Sequence, residues 1–145
     1  MVCTFFGHRD SPNNMEQELY CVLRKLVERC GVDEFLVGNH GNYDRMVLSV
    51  LKRLKEEYSH ICYAAVLAYL PPGRQEHQYE SSIYPEGVEC VPRRFAIVKR
   101  NRWMVEQCDI VVSYILRSGG GAAQFVRMAE RQGKRIINLA QIVKK

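Results

Sequence analysis

The chain lacks any long apolar run. Its 145 residues contain no stretch that approaches the roughly 18 apolar residues needed to cross a bilayer. The short apolar start after Met1 is interrupted by His8, Arg9 and Asp10, which does not fit a signal peptide. These absences argue against a membrane protein and favour a cytoplasmic location.

Cysteine pairs with metal-site or redox spacing are also missing. The six cysteines, at positions 3, 21, 30, 62, 90 and 108, form no CxxC pair. Most of them fall on apolar faces, so we interpret them as buried, reduced thiols rather than as disulfides or zinc ligands. The sequence therefore indicates no metal site and no cofactor.

Charge of one sign is only mildly in excess. The chain has 21 Lys and Arg against 16 Asp and Glu, a formal net charge of +5. The basic residues form no stripe interleaved with aromatic residues, so nucleic acid is not the favoured partner. An anionic small molecule such as a nucleotide suits the charge equally well.

The sequence alternates between short apolar segments typical of strands and segments whose apolar residues recur at helical spacing. Its length suits one domain, 1–145. Strands are predicted at 2–6, 35–37, 61–70, 109–115 and 135–139. Helices are predicted from Ser11-Pro12 to Gly31, and at 42–58, 92–107 and 121–132, with a polar loop at 71–92. This order predicts an α/β fold: a three-layer Rossmann-like domain with an open, mostly parallel sheet of about five strands.

The first candidate binding element is the triple-glycine turn after the strand at 109–115. A strand that ends in glycines and opens a helix presents free backbone N–H groups and the positive end of the helix dipole, which suits a phosphate. We therefore predict ligand contacts from Ser118, Gly119, Gly120 and Gly121.

A second turn of the same kind follows the strand at 35–37. Gly38, Asn39, Gly41 and Asn42 are predicted to form a second phosphate cradle. Asp44, in the first turn of the next helix, either accepts a hydrogen bond from a ribose hydroxyl or simply favours the helix dipole.

The residues Gly7, His8 and Arg9 follow the first strand and should lie at the same edge of the sheet. An arginine there can hold a phosphate with its planar fork. His8 has no acid placed beside it in the sequence, so a nucleophile and base pair is not indicated.

The helix predicted at 92–107 carries a polar pair on its apolar face. Asn101 lies at the centre of that face and should be buried, so it either ties the helix to a strand end or reaches the ligand. Arg100, beside it, is a candidate to meet an anion.

Four motifs in this order resemble the SLOG superfamily, which joins the Smf/DprA proteins and the LOG phosphoribohydrolases. They are Thr4–Arg9, Phe35–Gly41, Arg100–Met104 with Cys108-Asp109, and Ser118–Gly121. The resemblance covers essentially the whole chain and is strongest to small stand-alone bacterial members. It implies a Rossmann-like domain that binds a nucleotide or nucleotide-derived ligand, for instance one like ADP-ribose, as a sensor or binding module, and it leaves a homo-oligomer open.

The resemblance also implies two alternatives. LOG enzymes remove the base from a nucleoside monophosphate, and Arg100 matches their catalytic arginine. Phe125 stands where their catalytic glutamate is expected, and Ser118, Ala122 and Ala123 also depart from the motif, which argues against this activity; glutamates 80, 86 and 89 are the remaining candidate carboxylates. Single-stranded DNA binding, as in DprA, is the other alternative.

Overall fold

Six parallel strands form one open sheet in the computed structural model, which describes residues 1–69 and 81–142. The order across the sheet is β4-β3-β2-β1-β5-β6, and every neighbouring pair is parallel. The strands are β1 (Val2–Gly7), β2 (Glu34–Val37), β3 (Cys62–Val66), β4 (Ser82–Ile83), β5 (Ile110–Tyr114) and β6 (Arg135–Asn138).

Helices cover the sheet on both faces. They are α1 (Glu16–Cys30), α2 (Gly41–Glu57), α3 (Ala96–Gln107), α4 (Gly121–Arg131) and the short α5 (Leu139–Ile142), with 3₁₀ turns at Val88–Cys90 and Arg93–Phe95. Cys3 and Phe5 of β1 pack in the cluster that contains α1 and α2, whereas Phe6 packs with α3 and α4. Side chains alternate across a strand, so β1 is buried from both sides. The predicted three-layer Rossmann-like fold is confirmed.

One end of α1 agrees with the predicted boundary and the other does not. α1 buries the stripe of Leu19, Leu23 and Leu26 and ends at Gly31, whose φ of +77° places it in the left-handed region that glycine favours. The predicted start at Ser11-Pro12 is wrong, because α1 begins at Glu16. Ser11 instead closes a turn after β1: its N–H donates to the carbonyl of His8 at 3.2 Å.

The sheet differs from the predicted one in two places. The polar loop contributes a strand that periodicity could not reveal, since β4 has only two residues. β3 ends at Val66, earlier than the predicted 61–70 strand. Residue 70 and the first part of the predicted loop, 71–80, lie outside the described residues.

The prediction of mainly buried cysteines is wrong. Only Cys3 and Cys108 are buried; Cys30 is half-buried, and Cys21, Cys62 and Cys90 are exposed. Cys21, for example, lies on α1 outside the buried leucine stripe. All six are free thiols.

The order in which strands are added to the sheet reverses at β1. The first half of the chain builds outward from β1 through β2 and β3, whereas β5 adds to the opposite side of β1. In open parallel sheets such a reversal opens a crevice at the carboxyl ends of the strands. Within residues 1–69 and 81–142, none of the helices has the length and apolarity to cross a membrane.

Candidate binding cleft

A cleft of about 690 Å³ lies where the strand order reverses, at the carboxyl end of β1. Four parts of the chain line it: the end of β1 and its loop, the start of α2, one face of α3, and the glycine turn with the start of α4. Of the predicted site residues it brings together Gly7, His8, Arg9, Asp44, Arg100, Asn101 and Gly119–Gly121. It does not include Ser118, Gly38, Asn39, Gly41 or Asn42 among its lining residues.

The glycine turn presents bare backbone to this cleft. Apart from its chain neighbours, a Cβ atom on Gly119, Gly120 or Gly121 would meet no atom of residues 1–69 and 81–142 within 4 Å. Gly120 has a φ of +98°, a conformation in which a side chain would be strained. No side chain of the described residues caps the N-terminus of α4. In the part of the chain that is described, the N–H groups of this first turn are left for solvent or a ligand. Ser118 lies outside the cleft, where its carbonyl accepts a hydrogen bond from Arg127 at 2.8 Å.

Two arginines from different segments stand at the rim. Arg9 is exposed, and its side chain makes no hydrogen bond or ion pair with any residue in the described ranges. Arg117 is instead paired with Asp10, with 3.0 Å between Nη2 and Oδ1, and this contact lowers the pKa of Asp10. Arg9 is thus the rim cation that is ready for an anion.

A third arginine, Arg100, is buried in the wall with 2% of its surface exposed. Its Nε donates to Asn101 Oδ1 at 2.7 Å, and its Nη1 donates to Val66 O at 2.8 Å and to Asn39 Oδ1 at 3.2 Å. Its Nη2 lies 3.3 Å from Nδ1 of His40. Burial lowers the pKa of Arg100, yet guanidinium keeps its charge in proteins. Arg100 therefore joins the ends of β2 and β3 to α3.

Asp44 is the carboxylate of the inner wall. Its Oδ2 accepts the backbone N–H of His40 at 3.0 Å. Burial raises the pKa of Asp44 to about 6, against the opposing effects of that hydrogen bond and of Arg100 and Arg9. A Cβ on Gly38 would lie 2.7 Å from Asp44 Oδ2 and 3.0 Å from Arg100 Nη1. Gly38 is thus required by this close packing.

The second glycine turn supports the cleft from behind. The N–H of Asn42 donates to the carbonyl of Arg9 at 2.9 Å, and the Asn39 side chain is held by Arg100. Gly41, at a φ of +91°, lies against the Cα of Arg9, where a Cβ would come within 2.8 Å. This turn positions Arg9 and Arg100, and phosphate binding by its own amides stays a prediction.

Gly7 and His8 also have structural partners. A Cβ on Gly7 would overlap the ring of Tyr43, whose hydroxyl donates to the carbonyl of Val112 at 2.9 Å. His8 is buried, and its Nε2 accepts the N–H groups of Leu116 and Arg117. Burial, with Arg117 nearby, lowers the pKa of His8. The unprotonated ring therefore fixes the segment that leads to the glycine turn.

The other half of the cleft is apolar. Ile97, Val98 and Met104 of α3 line it, as do Phe6 and Phe125, whose rings stack at 5.7 Å. Phe125 is buried, so the position where the resemblance expects a glutamate serves core packing. The glutamates at 86 and 89 are exposed outside the cleft, and position 80 lies beyond the described residues.

The prediction that Asn101 is the buried polar residue of α3 is wrong. Asn101 is half-buried at the cleft, whereas Arg100 is the buried residue. Asn101 bonds to Arg100 rather than to a strand end. Sequence reasoning also missed His40, a cleft residue in the very turn it singled out. The alternation of glycine and polar residues at 38–42 was the signal, but it does not tell which side chain faces the cleft.

No model of a protein family matches the chain, and a search of curated proteins finds no match. Among the described residues, no group of three or more His, Cys, Asp or Glu side chains is placed to hold a metal ion.

Proposed function

We propose that the protein binds a nucleotide or nucleotide-derived ligand in this cleft and acts as a binding module or sensor. One observation carries the proposal: the unobstructed N–H groups of Gly119–Gly121 and the side chain of Arg9 line the same cleft. The phosphate lies on the glycine turn, where backbone donors and the helix dipole favour negative charge. Arg9, which lines the same cleft, neutralises the charge of the phosphate.

The size and polarity of the cleft support a ligand larger than phosphate alone. Its volume of about 690 Å³ is in the usual range for small-molecule sites. The apolar wall of Ile97, Val98 and Met104 suits the flat surface of a base. A nucleotide combines an anionic group with such a surface. The SLOG resemblance favours the same class and adds ADP-ribose as a candidate.

Calorimetric titration with nucleoside mono- and diphosphates, ADP-ribose and inorganic phosphate tests the proposal. Gly120→Asp places a carboxylate on the phosphate position, and we expect it to reduce affinity at least tenfold. Gly133→Asp is the matched control, because Gly133 also has positive φ and open surroundings but lies beyond α4, outside the cleft. If nothing in the panel binds, or if both variants bind alike, the proposal is wrong.

Cleavage of the N-glycosidic bond of a nucleotide is a second candidate, favoured by one observation. Asp44 brings a carboxylate to the cleft that the glycine turn lacks. A carboxylate stabilises the positive charge that develops on the sugar as the bond to the base breaks, before water adds to the sugar carbon. Release of free base, measured by chromatography and abolished in Asp44→Asn, supports this activity. Its absence with every nucleotide that binds excludes it.

DNA binding stays the remaining alternative. Titration with single-stranded DNA at low salt belongs in the same experiment, since an electrostatic interaction is strongest there. Binding that competes with nucleotide would assign the cleft to a strand terminus or phosphate, and no binding at low salt would end this alternative.

A further inference from the structure

We propose that Arg100 fixes Asn101 and His40 as hydrogen-bond donors toward the ligand, so that the cleft selects a base that presents acceptor atoms on that side. Ring nitrogens and carbonyl oxygens of a base are such acceptors. The proposal rests on the proposed function, since it assumes that a nucleotide occupies the cleft.

The orientation of the Asn101 amide follows from the chemistry of its partner. A guanidinium group has five N–H donors and no acceptor. The atom that lies 2.7 Å from Arg100 Nε must therefore be the amide oxygen. The opposite end of the amide, Nδ2, has no hydrogen-bond partner among residues 1–69 and 81–142. Because Asn101 lines the cleft, its free end offers two N–H donors there.

His40 obeys the same logic. Its Nδ1 lies 3.3 Å from Arg100 Nη2, which can only donate, so Nδ1 accepts and the neutral ring carries its hydrogen on Nε2. Burial, together with Arg100 and Arg9, lowers the pKa of His40 and favours this neutral form. His40 also lines the cleft, so it supplies a second donor.

Arg100 itself reinforces this pattern. Its contacts with Asn101, Asn39, Val66 and His40 occupy four of its five N–H groups, and the fifth is on Nη2. Arg100, Asn101 and His40 thus present donors to the cleft, beside the carboxylate of Asp44, which presents acceptor oxygens. A ligand that turned its own N–H groups toward Asn101 and His40 would leave donors facing donors. Because unpaired polar groups cost binding free energy, such a ligand would bind much more weakly than one that presents acceptors.

The neighbours of Asn101 on α3 indicate which part of the ligand it meets. Ile97 and Val98 precede it by four and three residues, so the three side chains share one face of the helix. A base that packs its flat surface on the two aliphatic side chains brings its edge to Asn101. The phosphate lies elsewhere, on the glycine turn.

Asn101→Asp tests this arrangement. The aspartate keeps an oxygen for Arg100 Nε and nearly the same shape, but it loses the N–H donors. The matched control is Gln124→Glu, which makes the same amide-to-carboxylate change on the α4 side of the cleft. Both variants weaken phosphate binding by adding negative charge, so the readout is a ratio: the affinity for the tightest of AMP, GMP, CMP and UMP divided by that for ribose 5-phosphate.

We expect Asn101→Asp to lower this ratio about five- to tenfold, and Gln124→Glu to leave it within a factor of about two. Equal ratios in the two variants would overturn the proposal. So would a wild-type protein that binds the nucleotide no better than ribose 5-phosphate. If neither compound nor inorganic phosphate binds the wild-type protein, it is the proposed function that fails.

A measurement on the wild-type protein covers the case of a variant that does not fold. The 1-deaza, 3-deaza and 7-deaza analogues of AMP each replace one ring nitrogen that accepts a hydrogen bond by a C–H group. Loss of about fivefold in affinity on removing one acceptor supports donor recognition. Unchanged affinity across the whole series contradicts it.

Discussion

Nε2 of His8 accepts the backbone N–H of Leu116 at 3.0 Å, with the N–H of Arg117 at 3.3 Å from the same nitrogen. This contact joins the loop after β1 to the segment that leads into the glycine turn. The nitrogen can accept only while it carries no proton, so protonation of His8 opposes the fold of this edge of the sheet.

We expect the protein to lose stability as the pH falls below about 6.5, in part through His8. The folded pKa of His8 is lowered, so the unfolded chain binds the proton first. The stabilisation is complete above the unfolded pKa, near 6.5, and declines as the pH falls toward the folded value. His8→Gln keeps an acceptor oxygen but does not titrate. Urea unfolding at pH 7.5, 6.5 and 5.5 should show a smaller acid loss in this variant, and an identical pH dependence in both proteins would refute the assignment.

Asp44 should make the protein less stable as the pH rises, which is the opposite of the effect of His8. Its folded pKa is raised to about 6, so the fold favours the protonated acid; that preference is fully present below the unfolded pKa and is lost as the pH rises through 6. Asp44→Asn keeps an acceptor for the N–H of His40 and carries no charge. We expect it to be about 1–3 kcal/mol more stable than wild type at pH 8 and nearly equal at pH 4. Chemical denaturation at the two pH values measures this, and a variant that is less stable at pH 8 would contradict it.

Gly7→Ala should destabilise the free protein severely, with no ligand involved. The added Cβ overlaps the Tyr43 ring, which is buried and anchored through its hydroxyl to Val112. We expect a loss of at least about 2 kcal/mol. Gly119→Ala is the control, since its Cβ meets open space and its φ is not positive, and it should stay within about 0.5 kcal/mol of wild type. Thermal unfolding of the two variants tests this. Equal midpoints would show that the Tyr43 ring does not prevent a larger residue at position 7.

Arg100→Lys should destabilise the protein although it keeps the positive charge. An ammonium group cannot reproduce the planar set of contacts to Val66, Asn39 and Asn101, so buried acceptors lose their donors. The expected cost is about 2 kcal/mol, against almost none for Arg102→Lys on the exposed side of the same helix. Unfolding in urea gives both values, and a tolerated Arg100→Lys would mean that these contacts contribute little.

The fold was predictable because each long element has its own periodic signal. The alternation of apolar strands with helices such as α2, whose buried stripe includes Met46, Val50 and Leu54, was enough for the order and the parallel sheet. β4 was not predictable, because two residues carry no period. The start of α1 was missed because Ser11 has the chemistry of a helix cap but closes a turn instead.

The position of the candidate site was easier to predict from the sequence than the contacts that its residues make. Residues after parallel strands must meet at one edge of a sheet, so the positions of Arg9 and Gly119–Gly121 were predictable from strand ends. Asp44 was predictable from its place in the first turn of the helix after the second glycine turn. Whether a glycine serves a ligand or a neighbouring side chain depends on distances that a sequence does not contain. Gly7 and Gly38 illustrate this, since Tyr43 and the pair of Asp44 and Arg100 fill the space beside them.

The reversal of strand order at β1 assigns the two sides of the cleft to separate halves of the chain. His40 and Asp44 come before β3, whereas the glycine turn comes after β5. A bound molecule would connect these two parts of the chain in addition to the hydrogen bonds that already pair β1 with β5. We therefore expect a bound ligand to slow amide hydrogen exchange in both β1 and β5, because it would stabilise the centre of the sheet.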